Sequence, residues 1–145
     1  MTAISETDLS ALTERHLEAH RRRDPAAIAS CYHPEAVIVS PMSAPTRGRA
    51  AVESYYAALF AAFSDLEITV DATVVDPPHV VSFMTIRATH TDEFFGYPGT
   101  NKPMEVALAR LMTAEDGLIM HQRSVFDFTG LLVQVGVLRA KPGKP

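Results

Sequence analysis

Apolar and polar side chains alternate with a period of two in the second half of the chain, and recur every three or four residues in the first half. Over Val80–Asp92, Pro103–Thr113 and Leu118–Phe128 the alternation predicts three long strands, each with one covered face. A loop with Gly96, Pro98 and Gly99 joins the first pair, and Glu115-Asp116-Gly117 forms a tight turn between the second. Both connections are short enough for antiparallel pairing. A further strand is predicted over Leu66–Val75 and ends at Asp76-Pro77-Pro78, because proline has no N–H for the ladder.

Upstream, Leu9, Leu12, His16, Ala19 and His20 share one face of a first helix, with Ser5 or Thr7 as its cap. Asp24-Pro25 starts a short second helix that runs to about Tyr32 and stops at His33-Pro34. Ala36–Ser40 reads as a short strand and Pro41–Arg49 as a loop. A third helix covers Arg49–Phe63, with Val52, Tyr55, Tyr56, Leu59 and Phe63 facing inward. Residues 129–138 form a last apolar segment of one or two helical turns. The order ααβαββββ segregates helices from strands, which predicts an α+β domain. Its expected shape is a cone-shaped α+β barrel, a curved antiparallel sheet wrapped on three N-terminal helices. One domain is expected over 1–138, with a disordered tail over 139–145.

With 145 residues, 47% hydrophobic and 21% charged, the chain has the composition of an ordinary globular domain. Its net charge of −4 argues against nucleic acid as a partner, since phosphate binding needs a basic face. Cys31 is the single cysteine, which leaves no intrachain disulfide and no cysteine cluster for zinc. A polar start with no apolar stretch and no membrane-length run predict a cytoplasmic protein.

A series of motifs runs through nearly the whole chain in order. They are Asp24-Pro25, Tyr32-His33-Pro34-Glu35-Ala36-Val37, Arg47-Gly48-Arg49-Ala50-Ala51-Val52 and Phe60-Ala61-Ala62-Phe63-Ser64-Asp65-Leu66, then Thr89-His90-Thr91, Gly96-Tyr97-Pro98, Glu115-Asp116-Gly117 and Val125-Phe126-Asp127 before Gly130-Leu131-Leu132. In these the chain resembles the SnoaL-like polyketide cyclases of the nuclear-transport-factor-2-like superfamily. The resemblance implies the cone fold and catalysis without metal or cofactor. It also implies a carboxylate base that takes a proton α to a carbonyl while donors hold the enolate. The superfamily hosts isomerases, dehydratases, epoxide hydrolases and non-catalytic binders as well.

Period two also allots the concave face. It carries Met84, Ile86, Ala88 and His90 on one strand, and Met104, Val106, Leu108, Arg110 and Met112 on the next. On the last strand the set is Leu118, Met120, Gln122, Ser124 and Phe126. Met84, Met104, Met112 and Met120 suit a soft apolar wall. Arg110 either polarises a ligand carbonyl or carboxylate, or pairs with an acid such as Asp127 or Glu105. His90 is a candidate general base or a structural histidine at a strand end. Asp127 is a candidate base or the cap of the last segment. His16 and His20 stand four residues apart, a spacing that permits metal binding, but no acid shares their face, and pocket lining is the preferred reading. Tyr32, Phe63 and Tyr55 or Tyr56 complete the candidate substrate-binding set with Gln122 and Ser124.

The acid that family members carry near Arg110 and Ser124 is replaced here. A one-residue bulge in the last strand would instead turn His121, Arg123 and Asp127 inward. The expected function is cofactor-free proton transfer on a mostly apolar carbonyl compound. The alternatives are epoxide opening by water and plain binding of an apolar acid. Phe94-Phe95-Gly96-Tyr97-Pro98 is expected at the mouth of the cone. The convex face carries Val81, Phe83, Thr85, Arg87, Ala107, Ala109 and Leu111, and is expected to pair with a second copy as a homodimer.

Overall fold

The computed structural model describes residues 3–139 together with Lys141 and Gly143. Most of the expected disordered tail therefore lies outside the described residues. The elements are α1 (Glu6–Arg21), α2 (Pro25–Ala29), β1 (Tyr32–Ser40), β2 (Ser43–Arg47), α3 (Arg49–Ala62), β3 (Glu67–Asp76), β4 (His79–Thr89), β5 (Pro103–Glu115), β6 (Leu118–Phe126) and α4 (Phe128–Gln134).

Local chemistry sets the helix starts. Ser5 accepts the Asp8 N–H at 3.0 Å, and Asp24 accepts the Ala27 N–H at 3.1 Å with Pro25 next in line. Gly48 precedes α3 with φ +89°, a conformation that side chains resist. The Arg49 side chain then donates twice to the Tyr32 carbonyl, at 3.0 and 2.7 Å, and ties the start of α3 to the start of β1.

Two sequence expectations change between residues 29 and 49. Helix α2 ends at Ala29 rather than near Tyr32, and Tyr32 opens a strand. Ile119 N–H donates to the Cys31 carbonyl at 2.9 Å, so the sheet captures this segment. Pro34 also biases His33 towards extended backbone. The expected loop from Pro41 to Arg49 contains β2, which pairs antiparallel with β1.

The six strands form one curved sheet in the order β2-β1-β6-β5-β4-β3. It is not closed, so the barrel of the sequence reading is an open half-cone with β2 and β3 at its edges. Four of its ladders are antiparallel, whereas β1 runs parallel to β6. The concave face holds the core with α1, α2 and α3: Leu9, Ile28, Tyr32, Val52 and Phe63 are all buried against the strands.

The bulge considered for β6 exists, but nearer its start. Thr113 pairs with His121 and Ala114 with Ile119, which makes Met120 the extra residue. Ile119 is consequently buried in place of Met120, and everything from Gln122 onwards keeps the expected face. His121 and Arg123 are exposed. A second bulge at Asp71 in β3 brings Thr73 opposite Ser82.

Candidate active site

Between α3 and the concave sheet lies a hollow of about 80 Å³. A cavity needs roughly 10–15 Å³ to admit a single water, so the hollow is large enough to hold more than one. Its wall is mostly apolar and adaptable: Met84, Ile86, Met104, Val106, Leu108 and Phe126 from the strands, and Leu131 from α4. Met42, Tyr55 and Leu59 line both the hollow and an outer groove of about 380 Å³ that runs along Phe94, Phe95 and Gly96. These three side chains form its mouth, beside the loop expected there.

Arg110, Gln122, Ser124, His20 and Tyr56 supply the polar groups of the lining. Register explains their convergence: Arg110 lies opposite Ser124, and Met112 opposite Gln122, so period two sends all of them to one face. Helix α1 lays His16 and His20, one turn apart, over the same region.

His16, His20, Tyr32, Tyr56 and Gln122 form one buried network. His16 Nε2 lies 2.9 Å from the Tyr32 hydroxyl and 3.3 Å from His20 Nε2. The Tyr32 hydroxyl donates to Gln122 Oε1, and Gln122 Nε2–H donates to the Tyr56 hydroxyl at 3.1 Å. That leaves the Tyr56 proton only a 3.5 Å contact with Tyr32 and makes it available to an oxygen in the hollow. Burial holds the His16 imidazole well below its ordinary pKa, and the positive fields of His20 and Arg110 add to the shift. Burial and then Arg110 do the same to His20. Both are therefore neutral at pH 7. Burial pushes the Tyr32 and Tyr55 phenols upwards, so both stay protonated.

Arg110 is only 6% exposed, and its Nε–H has no hydrogen-bond partner among the described residues. Neither expected acid reaches it. Glu105 pairs with Arg87 at 2.5 Å, both half-exposed. Asp127 is exposed and accepts the Gly130 N–H at 2.8 Å as the cap of α4. Among the described residues, no Asp or Glu lines the hollow. A buried cation without a counter-charge is costly, and a ligand that brings negative charge would offset that cost.

Three expected site residues stand apart from this cluster. His90 is fully buried, but it does not line the hollow. Its Nδ1 accepts the Thr100 N–H at 3.3 Å, which places the proton on Nε2, and its ring lies 5.6 Å from that of Phe63. It braces the end of β4 against the loop that returns to β5. Phe63 belongs to that packing. Asp127 is occupied with its cap. Proton-handling roles for His90 and Asp127 thus lack access to the hollow, while His16, His20, Tyr32, Tyr56, Met84, Gln122 and Ser124 gather around Arg110. The sequence reading missed Ser82, which lies in the same alternating series as Met84 and is directly opposite Arg110.

Among the described residues, no helix is long and apolar enough to cross a membrane, and no three potential metal ligands cluster.

Comparison with known proteins agrees with this architecture. A steroid Δ-isomerase of Nocardioides simplex is 40% identical over 62 residues, 42% of this chain and 50% of that protein. The chain thus spans about half the length of the curated relative it matches. IdmH of Streptomyces antibioticus, provisionally assigned as a polyketide cyclase, superposes with a TM-score of 0.72 at 28% identity, covering 88% of this chain and 98% of IdmH. AclR of Streptomyces galilaeus, provisionally assigned as a hydroxylase, gives a TM-score of 0.79 at 25% identity, covering 95% and 91%. The family model described as SnoaL-like polyketide cyclase matches residues 10–135, nearly the whole domain. This chain belongs to the SnoaL-like polyketide cyclase family.

Proposed function

We propose that the chain catalyses cofactor-free proton transfer on a mostly apolar carbonyl compound bound in the hollow. One observation carries the reading: a buried guanidinium without a carboxylate partner faces an apolar space beside a neutral imidazole. Arg110 and the Tyr56 hydroxyl would hold the carbonyl oxygen as its charge develops on forming the enolate. His20 is the un-ionised imidazole of the lining, and it would take the proton from the α-carbon as negative charge developing on the carbonyl oxygen offsets the opposing field of Arg110. His16 and Tyr32 extend the hydrogen-bonded chain behind it. Return of that proton to another carbon gives isomerisation; attack of the enolate on a second carbonyl closes a ring, and the proton passes to the alkoxide so formed. The isomerase and cyclase names among the similar proteins support this class of chemistry.

The absence of a carboxylate from the lining favours a second reading, a binder that holds an apolar acid through Arg110 without turning it over. Epoxide opening ranks behind both, because the lining has no carboxylate to position water.

Deuterium exchange at the α-carbon, followed by NMR across a panel of β-polyketones and steroid ketones, separates the readings. The wild type should accelerate exchange for at least one compound. Arg110→Ala should lower that rate by about 10²–10³-fold, the usual loss for an oxyanion donor, and His20→Gln by about 10²–10⁴-fold, the usual worth of a general base. Background exchange in all three proteins, with ligand-induced melting shifts that still depend on Arg110, would leave the binder and end the enzyme.

A further inference from the structure

Arg110 also borders a second cavity. A crevice of about 310 Å³ opens between α1 and strands β3 and β4, and its lining includes Arg110, Ser82, Thr73, Thr13 and Arg21. The pairing registers show how it is built. Thr73 lies opposite Ser82, Ser82 opposite Arg110, and Arg110 opposite Ser124. A polar row of three hydroxyls and one guanidinium therefore crosses four strands on the concave face. Ser124 lines the hollow, Thr73 and Ser82 line the crevice, and Arg110 lines both.

We propose that the crevice is a second binding site, which takes a small oxyanion, a carboxylate or a phosphate, against Arg110 and Ser82. The guanidinium lies on the floor with an unsatisfied Nε–H, and Ser82 beside it is only 4% exposed. A planar donor fork next to a hydroxyl matches the oxygens of such an anion. At the rim the guanidinium of Arg21 balances the carboxylate of Glu14, which leaves the charge of Arg110 as the net charge of the lining, so the field in the crevice favours negative charge. Because one guanidinium serves both cavities, an anion in the crevice would weaken the hold of Arg110 on an oxyanion in the hollow. The two sites would oppose each other.

This inference shares the charge of Arg110 with the proton-transfer reading, but it alone requires Ser82 and Thr73, so the two can fail separately. Titration calorimetry with inorganic phosphate, at ionic strength held constant with chloride, tests it. Phosphate should bind saturably to the wild type. Ser82→Val should weaken binding by about tenfold, the worth of one hydrogen bond to a charged group. Thr73→Val, at an exposed position with little folding cost, should weaken it in the same direction. Ser124→Ala should leave it unchanged, and Arg110→Met should abolish it. No saturable binding, equal affinity in Ser82→Val, or binding that survives Arg110→Met would overturn the proposal. A Ser124→Ala loss as large as that of Ser82→Val would do the same, by placing the anion in the hollow.

Discussion

Replacing Arg110 with methionine should make the protein more stable and functionless. The side chain is 6% exposed, stands between Leu108 and Met112, and meets no acid; Nε–H is unsatisfied. An unsatisfied buried donor costs about 1–3 kcal/mol, and apolar replacements of buried charged clusters have gained about 1–4 kcal/mol. Methionine is unbranched and fits irregular space, so little strain should offset the gain. We expect stabilisation of about 1–3 kcal/mol, which for a domain of this size raises Tm by roughly 3–10 °C. Urea denaturation with a common m-value for both proteins measures the difference, and α-proton exchange with the responsive ketone measures the functional loss. Stability held in reserve for activity is the pattern expected of a site that carries strain for its ligand. If Arg110→Met instead lowers stability by more than about 1 kcal/mol, the guanidinium has a structural partner, and its reservation for a ligand is refuted.

Other consequences follow from the same network and from the sheet. His16 and His20 have folded-state pKa values below the ordinary 6.5, so the unfolded chain binds protons first as pH falls. Stability should therefore be full above pH 6.5 and decline below it, with these two residues adding up to about 2.7 kcal/mol per pH unit. Urea midpoints between pH 7 and 5 should show a shallower slope in His20→Gln, and an unchanged slope would contradict the buried neutral pair. Tyr32→Phe removes the donor to Gln122 and the partner of His16, and should cost about 1–3 kcal/mol in the same assay. Tyr56→Phe should cost less stability and more activity, since the role proposed for its proton is to hold the ligand oxygen; a reversed order would separate Tyr56 from the chemistry. On the convex face Phe83, Ala109 and Val125 lie in one row, with Val74 and Leu111 nearby, and Phe83 is 51% exposed. We expect a homodimer by light scattering at micromolar concentration that Phe83→Lys converts to monomer; a wild-type monomer would refute the pairing.

Much of this site was legible in the order of residues. A strand sends alternate side chains to opposite faces, so Gln122 had to share a face with Ser124, and Arg110 with Leu108 and Met112. A helix repeats every 3.6 residues, so His16 and His20 had to lie together. Those are properties of a single element, and they need no knowledge of what packs against it. His90 belonged to the same alternating series as Met84 and was placed on the correct face. Its position along the strand carried it past the hollow to a packing site beside Phe63, which alternation cannot report.

The remaining decisions were made between elements. Tyr32 reads equally well as the end of a helix, until β6 offers its backbone a partner through Ile119. Whether His121 and Arg123 or Gln122 and Ser124 face inward depended on where one extra residue fell. The pairing with β5 puts it at Met120, before the site rather than within it. The isolation of Arg110 is likewise a tertiary fact, because Glu105 and Asp127 found other partners on the outside. Period and propensity act over a few neighbouring residues and are written along the chain. Register and charge pairing depend on which distant segments meet, and only the folded sheet determines that.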